Sequence, residues 1–263
     1  MTATDLDLGW GVELTSAPTE RLLQLLRSQL GAVFDCDRSD HFLAPPVMAR
    51  GTAERAGYPD TFPQLLGSVH AAPNGGDPAA TDLVLTPAAC HHVYPLVADR
   101  VLDRSLTFGV EAPCFRAEAS SEPGRLRSFR MYEVVRIGPA DELTAWRDIQ
   151  LDKMAQWLTS LGLEPTLAPA SDPFFGRPGR LMAQTQLGQQ LKWEAMVAVA
   201  DGLEQAVASA NYHKAHFGET FDITDPQGQE LHSACVAFGL DRIVLALRHR
   251  HGAGLESWME EQS

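Results

Sequence analysis

The sequence has no Cys-x-x-Cys pair, which removes the local signatures of a zinc ribbon or a dithiol redox site. Its four cysteines, Cys36, Cys90, Cys114 and Cys235, are scattered. In a reducing compartment they are expected as small buried hydrophobes rather than disulfides. No apolar run approaches the ~18 residues of a membrane span, so no membrane partner is expected. The opening MTATDLDLGW lacks a basic segment leading into an apolar one; no secretory signal is read, and a cytoplasmic location is expected. Positive charge is scarce as well: 21 Lys and Arg stand against 34 Asp and Glu, a formal net charge of -13. That balance excludes a broad nucleic-acid footprint and leaves room for a local cationic patch suited to a small anion. No internal repeat or low-complexity linker is found in the 263 residues, and one domain over 1–263 is expected.

What is present is 44% hydrophobic residues, enough for a substantial core. Apolar spacing predicts an amphipathic helix from Pro18 to Gly31 and a second from Val47 to Ala56, ended by GYPDTFP. LLGSVHAA and DLVLT (82–86) read as strands separated by an NGGDP turn, and HVYPLVADRVLD as the start of a helix. Residues 114 to 138 form a hairpin. DELTAWRDIQLDKMAQWLTSLGL, with Leu143, Trp146, Met154, Leu158 and Leu161, is an amphipathic helix. Residues 166 to 188 read as loop-rich, QLKWEAMVAV and TFDIT as strands, and ACVAFGLDRIVLALRHRHG as strand, Gly turn and helix. The pattern predicts an α+β fold, a mostly antiparallel sheet flanked by helices.

The hairpin concentrates Arg116, Arg125, Arg127, Arg130 and Arg136 in an acidic chain. On a strand, Arg116 and Glu118 share a face. The guanidinium can fork onto phosphate oxygens while the carboxylate accepts from an amino group; a surface ion pair is the alternative. Arg125 and Arg127, in the loop, can close over outer phosphates. Arg242 opens the IVLAL helix, where a cation is poorly matched to the helix dipole. It therefore needs an anionic partner, either Asp241 or a ligand. Glu133 stands in the row Phe129, Met131, Glu133, Val135, Ile137. If that row is buried, the carboxylate requires a partner or a metal; if it faces solvent, it requires neither. Cys90 and Cys235 are available soft donors, but no local spacing joins the three.

FRAE, a variable loop and an arginine-bearing strand resemble motif 2 of the class II aminoacyl-tRNA synthetases. GLDRIVLAL resembles motif 3, and the helix followed by FPQLLGSVH resembles motif 1, the dimer-interface element. The resemblance implies that Arg116 holds the α-phosphate of ATP, Glu118 the adenine amino group and Arg242 the γ-phosphate, with Arg125 and Arg127 as further ATP contacts. TPAACHHVYPLV, RMYEVV and HSACVAFGLDR are similar to the three zinc-ligand segments of the atypical seryl-tRNA synthetases and of their truncated relatives, the amino acid:[carrier protein] ligases. SDPFFGR and SANYHKAHFG extend the likeness, which runs from about Val47 to Gly252.

It implies zinc on Cys90, Glu133 and Cys235, with His91 and His92 as substitutes for Cys90, and magnesium accompanying ATP. Glu204 in DGLEQAVASANYH is the nearest candidate for a magnesium ligand, with a surface carboxylate on a core helix as the alternative. Length and acidity favour the carrier-protein ligase over a tRNA-aminoacylating enzyme or a non-catalytic regulatory paralogue, and tRNA is not an expected partner. The implied activity joins a small amino acid, glycine or alanine, to the phosphopantetheine thiol of an acidic carrier protein, in a homodimeric enzyme. Two patches could receive the carrier: Arg147 with Lys153, or Arg177 with Arg180. The N-terminal part is short even for these ligases.

Overall fold

Both faces of the FRMYEVVRIG segment turn out to be buried, because it lies at the centre of a sheet with helices on one side and the site on the other. The structure, a computed structural model, describes residues 5–34, 41–72, 75–118 and 120–262. A short hairpin, β1 (Leu6–Asp7) and β2 (Glu13–Leu14), precedes α1 (Ala17–Val33). Then come β3 (His41–Leu43), β4 (Val47–Ala49), α2 (Arg50–Arg55), α3 (Tyr58–Thr61), β5 (Ser68–Ala71) and β6 (Ala79–Leu85). Two 3-10 turns, Ala89–His92 and Tyr94–Leu96, lead into β7 (Leu106–Phe115) and β8 (Ser128–Gly138). After α4 (Ala140–Ser160) follow β9 (Thr166–Pro169), α5 (Gly176–Gly188), β10 (Lys192–Ala200) and β11 (Leu203–Lys214). The chain continues with α6 (His216–Phe221), β12 (His232–Gly239), α7 (Leu240–His251) and α8 (Leu255–Glu261).

The main sheet has the order β3-β7-β8-β12-β11-β10-β9. Every neighbouring pair is antiparallel except the edge pair β3–β7. The α+β expectation holds. Tyr132, Val134, Val236, Phe238, Ala210 and Val197 point to one face and pack with α1, α4 and α7 in the larger core. Val110, Ala112, Val135 and Cys235 belong to a second core with the 3-10 turns and α6. In α4, Leu143, Met154, Leu158 and Leu161 are buried, as their spacing predicts.

Several local expectations are corrected. DGLEQAVASANYH, whose Glu204 has a surface position on a core helix as its alternative reading, is β11, paired on both sides with β10 and β12. Residues 176–188 are a helix, not a loop. Of α5 only Gly179 is buried, so no apolar stripe announces it. Gly179 itself is required there: a Cβ would meet the Phe174 carbonyl carbon at 2.6 Å. HVYPLVADRVLD yields the end of one 3-10 turn and a second one, and TFDIT yields the end of α6 and two isolated bridges of Thr224, to Val101 and Glu230.

The motif 1-like segment is also displaced. Residues 47–71 hold only short helices and join a separate three-stranded sheet, β4-β6-β5. The long helix followed by a strand on the edge of the main sheet is α1 with β3.

The N-terminal hairpin is anchored through Asp5. Its Oδ1 accepts from the Ser16 N–H and the Thr19 hydroxyl, each at 2.7 Å, and its Oδ2 from Arg248 of α7 at 2.7 Å. Partial burial alone would raise the Asp5 pKa, but Arg248 and the other donors outweigh it and hold it at about 2. A carboxylate depressed in this way stabilises the fold fully above its ordinary value of 3.8, and the contribution is lost as pH falls through about 2. With screening at this part-exposed position, Asp5→Asn should cost on the order of 1 kcal/mol. At pH 7 that lowers Tm by roughly 2–4 °C. The gap from wild type should close as melting is followed down to pH 2; an unchanged gap there would count against the anchor.

Candidate active site

The pocket face of the sheet is assembled row by row. Glu133 on β8 lies opposite Val110 of β7 and Ala237 of β12, and Cys235 lies opposite Val135 and Asn211. The next pairs outward are Asn211 with Lys192 and Ser209 with Glu194. Directly opposed residues project to the same face, and all of these but the buried Val110 and Val135 line a cavity of about 1040 Å³. Its cover is tied to the body by Phe62 stacked on Phe174 at 5.2 Å, by Phe175 N–H to Thr61 O at 3.0 Å, and by Gln64 to Pro173 O at 2.7 Å.

Cys90, Glu133 and Cys235 meet in this cavity. Cys90 arrives on the first 3-10 turn, and the Ala89 N–H donates to Glu133 Oε1 at 3.1 Å. Glu133 is 3% exposed, so its row is buried and the carboxylate needs a partner. Burial, reinforced by Cys235, pushes its pKa up to about 7. Cys90 hydrogen-bonds Cys235 and Glu133 and is driven upward, while Cys235 is driven downward as the recipient of that bond, with His213 adding to the effect. Burial lowers the His213 pKa, but the adjoining Cys235 and Glu133 more than offset it.

The donor chemistry, two sulfurs and a carboxylate drawn together in a buried pocket, fits zinc. Among the described residues, however, no group of three His, Cys, Asp or Glu is spread as a ready-made metal cage; hydrogen bonds close the set instead. His91 lies beside it, packed edge-on to Tyr58 and Phe217, with Nδ1 unpartnered and burial pulling its pKa to about 3. His92 bonds Thr86 and does not line the cavity. Cys114 is buried and its thiol pushed up by burial. Cys36 lies outside the described residues.

The same cavity is lined by arginines. Arg116 donates to the carbonyls of Pro87 and Phe115 and lies over the Phe129 ring at 5.5 Å. Arg242 donates to Gly124 O at 3.0 Å and Ala206 O at 2.9 Å. Burial lowers its pKa, and neighbouring Arg125 adds to the shift. Asp241 is not its partner: it accepts from the Arg130 backbone N–H at 2.5 Å and from that guanidinium. Arg116 and Arg242 therefore bring charge to the cavity with carbonyls, not carboxylates, as hydrogen-bond partners. Glu118, exposed and beyond the end of β7, also lines it.

Arg125 lines the cavity and pairs with Glu122 at 2.6 Å; Glu122 is held in turn by Gln205 of β11 at 2.7 Å. The loop turns back through Gly124 at φ 77°, a conformation that favours glycine. Arg127 is turned away, over the Trp10 ring at 5.9 Å, and does not line the cavity. Arg136 pairs with Glu142 elsewhere. Glu204 is exposed on β11, outside the cavity, which corrects its placement as a magnesium ligand beside the ATP arginines. Arg147, expected on the surface, is buried, bonded to Asp148 and Gln190 O.

Sequence reading missed His213, Asn211 and the half-buried ion cluster of Lys192 with Asp172 at 2.6 Å and Glu194 at 3.0 Å. The alternation of Lys192, Glu194 and Met196 in a strand was the available signal.

No family model matches the chain. It is 40% identical over 260 residues to amino acid--[acyl-carrier-protein] ligase 1 of Bradyrhizobium diazoefficiens, covering 91% of this chain and 78% of the relative. Ligase 2 of the same organism is 42% identical over 235 residues, covering 81% and 70%. The type-2 serine--tRNA ligase of Methanopyrus kandleri is 26% identical over 200 residues, covering 67% of this chain and 36% of that protein. Among solved structures, M. kandleri SerRS in complex with A. aeolicus tRNASec superposes with TM-score 0.77 at 20% identity, over 97% of this chain and 58% of the other. Seryl-tRNA synthetase from Pyrococcus horikoshii complexed with ATP gives 0.73 at 15%, over 96% and 58%. The fold is that of a class II synthetase catalytic region. With identity of this extent to two ligases, across more than two thirds of each, the chain belongs to the amino acid--[acyl-carrier-protein] ligases.

Proposed function

We propose that the protein activates a small amino acid, glycine or alanine by family likeness, with magnesium-ATP and passes it to the phosphopantetheine thiol of a carrier protein. One observation carries this reading: a single cavity is lined both by the guanidiniums of Arg116 and Arg242 and by the buried thiol–carboxylate set of Cys90, Glu133 and Cys235. The substrate carboxylate oxygen attacks the α-phosphorus and pyrophosphate leaves, giving the aminoacyl-adenylate. The two guanidiniums stabilise charge as it builds on the phosphate oxygens. The Glu118 carboxylate is free to accept from the adenine amino group, and Arg125 exchanges Glu122 for an outer phosphate. The carrier thiol sulfur then attacks the adenylate carbonyl; AMP departs, and the thiol proton passes to the medium through the phosphate. Zinc held by Cys90, Glu133 and Cys235 would supply a Lewis-acidic position for the substrate amine, which excludes acids lacking one.

For the carrier, the buried Arg147 leaves Arg177 and Arg180 on α5, beside the cavity mouth, as the cationic patch. Leu181 and Met182 on the same helix are exposed and line the cavity, which suits a pantetheine arm. A homodimer is supported by the open edge of β3, where Leu43 is 79% exposed. Among the described residues no helix is long and apolar enough to cross a membrane, in keeping with a proposed cytoplasmic site of action.

Arg116→Ala and Arg242→Ala should each abolish amino acid-dependent exchange of pyrophosphate into ATP without lowering Tm by more than a few degrees. Each removes a charge-assisted phosphate contact worth about 1.5–3 kcal/mol as a hydrogen bond and more during reaction. Near-normal exchange in either variant rejects the phosphate assignment. Metal analysis should find about one zinc per chain, lost in Cys235→Ala; full zinc content in that variant removes the residue from the site. Charge reversal at Arg177 with Arg180 should slow carrier loading, and more so at low salt, while leaving exchange unchanged. Unaltered loading places the carrier elsewhere, and efficient charging of tRNA would replace the proposal with tRNA aminoacylation.

A further inference from the structure

The sulfur of Cys235 is not held by Cys90 alone. Asn211 Nδ2 lies 3.4 Å from it, and His213 Nε2 lies 3.6 Å from it, within reach of an N–H···S hydrogen bond. His213 stands where the β11–β12 register shifts between Tyr212 and Lys214, and a bulge of this kind re-aims a side chain. The far side of the ring is also engaged. Nδ1 lies 3.0 Å from Ser233 Oγ and 3.3 Å from Tyr94 Oη, and the two hydroxyls are 3.2 Å apart.

Two arrangements of the hydroxyl protons satisfy every group with a neutral ring: one of the Tyr94 and Ser233 hydroxyls donates to the other, which donates to Nδ1. Either way the ring proton is left on Nε2, facing the sulfur. Tyr94 is fully buried and stacked on Phe217 at 3.9 Å. Phe217 in turn meets the His213 ring edge-on at 5.1 Å, so the relay is rigid.

We infer that His213 is a positioning residue for the Cys235 thiolate, its Nε2–H fixed on the sulfur by the Ser233 and Tyr94 hydroxyls so that Cys235 is oriented and charge-moderated as a metal ligand. The inference rests on the reading of Cys90, Glu133 and Cys235 as a zinc site. An N–H···S bond fixes the thiolate rotamer before metal arrives and withdraws part of the sulfur's charge. Outer partners of this kind are typically worth 10–100-fold in metal affinity. Asn211 supplies a second restraint on the same atom, and its role as opposed partner of Cys235 explains why the sulfur is approached from the β11 side.

The test measures the zinc dissociation constant by chelator competition, alongside the thiolate-to-metal charge-transfer band of the cobalt(II)-substituted protein. His213→Leu, which keeps bulk and removes the donor, should weaken zinc by about 10–100-fold and move the band to longer wavelength, since a sulfur relieved of its hydrogen bond gives up electron density more readily. His213→Gln, which retains an N–H at similar reach, should stay within a few-fold of wild type. Ser233→Ala leaves the ring packing intact and should weaken zinc several-fold, so the inference does not depend on His213→Leu folding. Wild-type affinity and band position in both His213→Leu and Ser233→Ala overturn it, and so does equal weakening by Leu and Gln, which is the signature of packing alone. A wild-type chain that takes up neither zinc nor cobalt overturns the metal site itself, a result visible before any variant is made.

Discussion

Antiparallel pairing of β8 with β12 places Glu133 opposite Ala237 and Cys235 opposite Val135, putting a carboxylate and a thiol on the same face of the central sheet. A slip of one residue would turn Glu133 into the helical core and Tyr132 into the cavity. The register is held because the opposite face is filled by Tyr132, Val134, Val236 and Phe238 against α1, α4 and α7. The site therefore inherits its geometry from the packing of a core on the other side of the same strands. Cys90 completes it from outside the sheet, through a 3-10 turn whose Ala89 N–H is itself bound to Glu133.

The hairpin arginines divide by partner. Arg130 and Arg136 have carboxylates of their own, Asp241 and Glu142, and brace the strand to α7 and α4. Arg116 and Arg242 bond carbonyls, which leave a guanidinium's charge uncompensated and ready for an anion. Arg125 is intermediate, with one exposed carboxylate to give up. The division explains how a chain of net charge -13 can still offer guanidiniums to its cavity: the acids pair with the bracing arginines and leave Arg116 and Arg242 on carbonyls.

Much of the frame was legible in the sequence. The α4 stripe and the strand–glycine–helix of α7 depend on period and turn chemistry alone and stand where the pattern puts them, whereas the first hairpin strand, β7, begins at Leu106 and ends at Phe115, before Arg116 and Glu118. Helix α5 was illegible because it buries almost nothing, and β11 because Ala, Glu and Gln favour helix until two neighbouring strands claim their backbone. Glu204 is exposed on that strand and outside the cavity, in line with the surface-carboxylate alternative.

By itself the sequence determined the type of fold and the chemical inventory of the site. A carboxylate in an apolar row, two separate cysteines and a cluster of arginines are properties of composition and phase. Tertiary structure decided which members of that inventory meet. It brought Cys90 and Cys235 to Glu133 across long stretches of chain, gave Asp241 to Arg130 instead of Arg242, and turned Arg127 toward Trp10. It also set His213 beside Cys235 through an irregularity in a strand. Those choices depend on long-range register and on competition among charged groups for partners, neither of which leaves a periodic trace along the chain.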